Sequence, residues 1–227
     1  MFRNYLRSAW RNLMKSKFFS SINIIGLSAA LASCILIFLF IQHELSYDKF
    51  NAHADRIFRI TSLAQGPSEK TMLAVTPAPW APLIKKDYPE VLNYVRLLKD
   101  EKTIIGKKGE QHYYEDHLLY ADSTFFDIFS YSVSKGNKQK ALEAPNSVIL
   151  SRETARKLFG DSDPIGQSIE LNSFGRNLNL NVTGIINDMP STSHFQFNVL
   201  VSLQTLGDLS NLWSFHMFNT YVLLNNK

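Results

Sequence analysis

Between Phe18 and His43 the chain carries no Asp, Glu, Lys or Arg, and this uncharged stretch limits what the whole can become. Within it, Ile22 to Ile41 is 20 residues long, and 16 of them are apolar. As a helix rising about 1.5 Å per residue, it reaches roughly 30 Å, the thickness of a hydrocarbon core. A core helix of a soluble protein rarely stays uncharged on every face for so long, so the stretch reads as a transmembrane helix. Its flanks set its direction. Arg3, Arg7, Arg11, Lys15 and Lys17 precede it with no acid among the first twenty residues, whereas Glu44, Asp48 and Lys49 follow it. Excess positive charge stays in the cytoplasm, which places the N-terminus inside and the rest of the chain outside.

Two processing alternatives compete with an uncleaved anchor. A signal peptide would end in a small-x-small site, but the run closes on Phe38-Leu39-Phe40-Ile41-Gln42-His43. Leu31-Ala32-Ser33-Cys34 matches the pattern before a lipid-modified cysteine, yet seven apolar residues, Ile35 to Ile41, follow where a lipoprotein's run would stop. Cys34 is the single cysteine, so a disulfide within the chain is excluded.

The span has two further features. Before it, Phe2, Leu6, Ala9, Leu13 and Met14 recur at helical spacing, and Arg3, Arg7, Arg11 and Lys15 form a basic stripe with Trp10 between the two sets. That pattern describes an amphipathic helix on the inner leaflet; it is also read as a topology signal alone. Inside the span, Gly26, Ala30 and Ser33 share a face, with Ala29 adjacent, and small residues there admit a close neighbouring helix.

The body after the span is balanced in charge. The net +4 of the 227 residues sits at one end: after residue 20 there are 19 basic and 20 acidic side chains, which argues against a nucleic-acid surface. Glu44 to Asp55 reads as a helix continuing out of the membrane, with Leu45, Phe50 and Ala54 inward. A strand follows at Arg56–Ser62, then a loop over Gln65–Lys70 marked by Gly66-Pro67. Pro77-Ala78-Pro79 starts a helix through Asp87, and Leu92–Leu98 is a strand. Thr103–Ile105 and Gln111–Tyr114 pair across a turn. Thr124–Phe129 is a short aromatic helix. Ser147–Leu150 is a strand, and Ser151 caps a helix that Gly160 ends, with Ala155 and Leu158 inward. Asp163-Pro164-Ile165-Gly166 is a turn. Ser168–Leu171 and Leu178–Ile186 pair around Asn172-Ser173-Phe174-Gly175, and Gln196–Ser202 and Thr220–Leu224 are further strands. Helices and strands do not alternate as in a doubly wound sheet, so the expected class is α+β.

No residue pattern in the body points to chemistry. His112 and His117 are five apart, a spacing that puts them on opposite faces of a strand and poorly aligned on a helix, with no other His or Cys nearby in sequence. There is no GxxxxGK[ST] phosphate loop and no GxSxG elbow. His194 and His216 have no partner that sequence can name. Asn181-Val182-Thr183 reads as strand propensity rather than a glycan site. No catalytic, cofactor-binding or metal-binding residue is assigned, and an enzyme is not expected.

Several segments together resemble FtsX-like permeases of ABC transporters, in the form common in Bacteroidetes. Asn4-Tyr5-Leu6-Arg7-Ser8-Ala9-Trp10-Arg11-Asn12-Leu13, with Ser21 to Leu27, is similar to that family's opening. Glu44 to Phe50 and Ala54 to Arg59 resemble the segment after its first span, and Ala121 to Ser130, Ser147 to Gly160, Asp163 to Gly166 and Val182 to Pro190 follow in the family's order. The resemblance implies a cytoplasmic segment (1–20), a transmembrane helix (21–43) and a MacB-like periplasmic core domain (44–227) in the bacterial inner membrane. It implies a separate cytoplasmic ATPase, a second permease subunit or repeat, contact with membrane lipid, and a periplasmic adaptor or substrate moved mechanically. It implies no catalytic residues. Family permeases have later spans, so the chain is expected to be truncated near the end of the core domain. The rival reading is a single-pass anchored module for periplasmic sensing or binding.

Overall fold

The computed structural model describes residues 2–65, 70–187 and 189–225. The chain divides into two compact units, Met1–Tyr47 and Asp48–Lys227.

The first unit is helical. α1 covers Phe2–Lys15 and α2 covers Lys17–Glu44, an apolar helix of 28 residues, long enough to cross a bilayer. Ser16 separates them, its backbone at φ −118° and ψ 56°, far from the helical basin. Ser33 donates its hydroxyl to the Ala29 carbonyl at 2.9 Å, so its polarity is satisfied within the helix.

The second unit is a mixed sheet with short helices. Its strands are β1 (Ile57–Ile60), β2 (Ser62–Gln65), β3 (Lys70–Leu73), β4 (Val91–Asp100), β5 (Thr103–Gly106), β6 (Tyr113–Glu115), β7 (Leu118–Ala121), β8 (Val133–Gly136), β9 (Ser147–Ser151), β10 (Ser168–Ser173), β11 (Arg176–Ile186), β12 (Val199–Ser202) and β13 (Asn219–Leu224). Its helices are α3 (Trp80–Asp87), α4 (Phe125–Ile128) and α5 (Arg152–Phe159). The main sheet runs β1-β13-β4-β7-β12-β9-β11-β10-β5-β6, with β8 also on β11, while β2 and β3 pair separately. The β7–β12 and β9–β11 pairs are parallel and the other pairs antiparallel. With the apolar helix ahead of it, this is the α+β arrangement expected from sequence.

The central strands are apolar throughout because both faces of the sheet are covered. Leu118, Tyr120, Val148, Leu150, Val199 and Val201 face one core, where α5 contributes Ala155, Leu158 and Phe159. Their neighbours Leu119, Ala121, Ile149 and Leu200 face the other core, which holds Phe125, Phe126 and Ile128 of α4. Phe125 is fully buried and lies 5.1–5.7 Å, centroid to centroid, from the rings of Phe126, Phe129, Tyr131 and Phe197.

Several expectations hold in detail. Thr103, Ile104 and Ile105 pair with Glu115, Tyr114 and Tyr113. Ser151 accepts the Thr154 N–H at 3.1 Å as an N-cap, and Gly160 follows the helix at φ 58°. β10 and β11 form a hairpin closed by Phe174 (φ 49°) and Gly175 (φ 71°), the positive pair that a two-residue turn needs. An aromatic side chain is unusual at such φ. Phe174 is held there by its N–H to Asp100 Oδ2 and by stacking on Tyr120.

Other expectations fail. No helix spans Glu44 to Asp55: α2 stops at Glu44, turns follow, and a single 3-10 turn occupies Ala54–Arg56. Asp48 takes the left-handed region (φ 57°) and is bonded to residues far along the chain, which ends helical propagation. Only Phe50 of the three expected inward residues packs on the core; Leu45 and Ala54 are exposed. Gln196 to Asn198 precede β12 rather than join it. The hairpin β2–β3 and the strands β7 and β8 were not expected. The loop expected at Gly66-Pro67 lies outside the described residues.

Candidate functional site

A set of non-local polar contacts lies at the start of the second unit. Asp48 donates its N–H to the Thr192 carbonyl at 2.9 Å, and its Oδ1 accepts the His194 N–H at 2.9 Å. An aspartate tolerates the left-handed backbone this requires. Three residues on, Asn51 is only 6% exposed. Its Nδ2 donates to the Asp48 carbonyl at 3.0 Å, and its Oδ1 accepts the Ser130 N–H at 2.9 Å. The Ala52 N–H donates to Ser130 Oγ at 2.8 Å. Four of these bonds reach distant residues, and at about 1 kcal/mol net each they resist pulling by on the order of 4 kcal/mol.

Apolar contact backs the polar one. The Phe50 ring meets Tyr131 edge-on at 5.2 Å. Tyr131 is buried and donates its hydroxyl to Ser193 Oγ at 2.5 Å; Ser193 in turn donates to the Phe195 carbonyl at 2.9 Å. Burial pushes the Tyr131 phenol up to about 12, against the pull of the Ser193 bond, so it stays neutral as a donor. Tyr131 stacks on Phe125, and Phe195 meets Phe129 and Tyr221 at 5.2 Å each. The segment that follows the apolar helix in sequence is thereby tied to residues 130–131 and 192–195 and, through rings, to the core. We refer to this as the clamp.

The clamp leads directly into β1, and β1 pairs with β13 so that Ile57 sits opposite Leu223. β13 thus ends beside the point where β1 begins. Arg59 of β1 reaches the Ala74 carbonyl, donates to Asn219 Oδ1 and lies over the Tyr221 ring.

Other constellations are structural. His216 Nδ1 is 2.9 Å from Ser62 Oγ, a serine–histidine contact that sequence could not pair. The Ser62 hydroxyl donates its one proton to the Val75 carbonyl at 2.6 Å, so it accepts from the imidazole and is not activated by it. His112 bonds Glu170 Oε2 at 3.2 Å, and His117 lies 3.9 Å from Glu115 Oε1; the two imidazoles face different carboxylates. Among the described residues no group of three His, Cys, Asp or Glu converges as a metal site would need. Arg96 and Asp122 form a bidentate pair, with 2.9 and 2.7 Å bonds, and Arg96 also reaches the Ala78 carbonyl. The pair lines a groove of about 440 Å³ with Pro79, Pro82, Leu83 and the half-exposed Trp213.

The clamp residues were not singled out from sequence. Asp48 stands there as a flanking charge and Phe50 as an inward residue of the expected helix, both within a family-like segment, and neither reading yields the clamp. The clamp's partners lie from 78 to 146 residues away, and nothing local marks such pairs.

Residues 20–227 match the family model of the MacB-like periplasmic core domain. Among solved structures, the fold is similar to a domain described as belonging to a permease protein from Porphyromonas gingivalis, with TM-score 0.66 and 21% identity over 78% of this chain and 76% of that one. The periplasmic region of MacB from Actinobacillus actinomycetemcomitans matches with TM-score 0.49 and 13% identity, covering 75% and 74%. The extracellular domain of the noncanonic ABC-type transporter YknZ from Gram-positive bacteria matches with TM-score 0.44 and 17% identity, covering 67% and 81%. No curated protein sequence matches the chain.

Proposed function

The chain belongs to the MacB-like periplasmic core domain family of ABC-transporter permeases, and on that premise we propose that it relays the work of a separate cytoplasmic ATPase to the extracytoplasmic side. In this reading, residues 1–20 are cytoplasmic, 21–43 cross the inner membrane of a bacterium, and the domain from 44 onward is periplasmic. The partners are the ATPase, a second permease subunit or repeat, and a periplasmic adaptor or substrate that the domain displaces. The family is a transporter component, and its role here is mechanical rather than catalytic.

One observation supports this above the others. The clamp fastens the segment after the apolar helix to the sheet by side chains and rings, where a flexible tether would need none. A movement of that segment is then inherited by the domain rather than absorbed, because coupling needs a connected structure with two arrangements. β13 ends beside β1, so whatever joins either strand acts at one place.

The groove beside Trp213 favours the rival reading, a membrane-anchored sensing or binding module, since a concave apolar lining with one ion pair is a usual ligand setting. One experiment separates the two. The full chain is isolated from native membranes with ATP turnover trapped, in wild-type form and as Asp48→Ala/Asn51→Ala. The permease reading expects an ATP-hydrolysing subunit to co-isolate with both forms, and nucleotide to change the protease pattern of the domain only in the wild type. Isolation without any such subunit, or a nucleotide response that survives clamp loss, overturns it.

A further inference from the structure

Within the first unit, helix α1 presents a face that no described residue covers. Tyr5 is 74% exposed, Trp10 66% and Leu13 45%, although a helix of this composition ordinarily buries such residues. At about 100° per residue, Tyr5, Ala9, Leu13 and Trp10 fall on one arc of roughly 140°. Arg3, Asn4, Arg7, Ser8, Arg11, Asn12 and Lys15 fill the rest, with Met14 alone breaking the polar side. The four basic residues step four positions at a time along this helix. The first acidic residue of the chain is Glu44, at the far end of α2, so no carboxylate within α1 or most of α2 neutralises them. Among the described residues none of the four forms an ion pair.

The occupant of the bare face is settled by what α1 is joined to. Lys17 opens α2 two residues after Lys15 closes α1, and the non-helical Ser16 between them lets the two helices take separate axes. With α2 in the bilayer, α1 starts at the headgroup level, where its arc of Tyr, Trp and Leu matches an interface of mixed polarity. Four unneutralised cations at that level select negative headgroups over zwitterionic ones.

We infer that α1 lies on the membrane and binds anionic phospholipid headgroups through Arg3, Arg7, Arg11 and Lys15, with Tyr5, Trp10 and Leu13 inserted below them. This rests on the placement proposed above, in which residues 21–43 cross the membrane. It makes α1 a sensor of lipid charge at the foot of the span: anionic lipid holds the helix down, and a neutral leaflet releases it.

The test is amide hydrogen exchange on the full chain in nanodiscs of phosphatidylcholine alone or mixed with phosphatidylglycerol. Both disc faces are open, so the result does not depend on which way the chain is inserted. The α1 amides are expected to exchange at least about tenfold more slowly in the anionic discs, with the gain lost at molar salt. Replacing Arg3, Arg7, Arg11 and Lys15 by Gln is expected to erase the difference between discs while α1 keeps its lower, lipid-insensitive protection. Equal protection in both discs, or a gain indifferent to salt, overturns the inference, as does protection that appears only when a soluble protein is added. The α2 amides report the span itself: fast exchange there defeats the transmembrane placement and the lipid proposal with it.

Discussion

Asn51→Ala tests the clamp at its most connected residue. The substitution removes the Oδ1 that accepts the Ser130 N–H and the Nδ2 that donates to the Asp48 carbonyl. The lost bonds are worth about 1 kcal/mol each, and the Ser130 N–H is left short of an acceptor, so a net cost of about 2 kcal/mol is a conservative sum. The cost is local, because Phe50, Tyr131 and the sheet behind them are untouched. At about 1.4 kcal/mol per factor of ten, the clamp should open about 30 times more often. Hydrogen exchange on the detergent-solubilised chain reads this directly: amides of residues 48–52 and of Ser130 should speed up by that factor, while β7, β9 and β12 keep their rates. Ser130→Ala removes only the acceptor of the Ala52 N–H, a loss of about 1 kcal/mol, and should give about a fivefold change in the same amides. Unchanged rates at 48–52 would show that these bonds do not hold the segment. Equal acceleration in the central strands would show that Asn51 serves global stability and that no separate clamp exists.

Three other outcomes are expected. The phenols of Tyr120 and Tyr131, ordinarily near 10, are pushed up to about 12 by burial. Unfolded they ionise first, so folding stability is complete below pH 10 and falls between pH 10 and about 12, on the order of 2 kcal/mol per tyrosine; urea midpoints across that range check it, and Tyr131→Phe should flatten the fall. Arg96→Ala leaves Asp122 and the Ala78 carbonyl without their partner in a site where Arg96 and Asp122 are 15% and 13% exposed, so a loss of about 3 kcal/mol in chemical unfolding is expected, and an unchanged midpoint would refute the assignment. In a Cys34→Ala background, cysteine at Ser16 should be shielded from a membrane-impermeant reagent in spheroplasts, and cysteine at the exposed Gln139 should react; the reverse pattern would invert the topology. Gly136 cannot carry that reporter, since a Cβ there would lie 2.2 Å from the Thr183 carbonyl oxygen at a φ of +96°.

What was legible in the sequence was what neighbouring residues decide. The uncharged run Phe18–His43 needs no partner to be apolar, and the cap at Ser151 and the turn at Phe174-Gly175 are closed by residues within a few positions. β8 was missed because Val133-Ser134-Lys135-Gly136 has no alternation of its own and is a strand only through its pairing with β11. β7 hid for a different reason: Leu118-Leu119-Tyr120-Ala121 is buried on both faces and so lacks the period-two signal. The helix expected through Asp55 failed because Asp48 is claimed by Thr192 and His194, a competition that no window of local sequence contains. The clamp is invisible for the same reason. Its residues are ordinary polar and aromatic types whose significance lies wholly in which distant atoms they meet.

The strand order has a mechanical consequence. β1 and β6 stand at opposite ends of a run of ten strands, and both the clamp and the end of β13 are at the β1 side. These ends do not lie a full sheet width apart: only two residues separate β4 from β5, and only two separate β6 from β7, so the sheet bends back on itself and brings β5 and β6 beside β4 and β7. A load applied at the β1 side would therefore be shared around a curved sheet rather than carried to a free far edge, and the exposed Tyr114 and Phe174 stand on a strand and a turn that return to it, Phe174 already bonded to Asp100 and stacked on Tyr120.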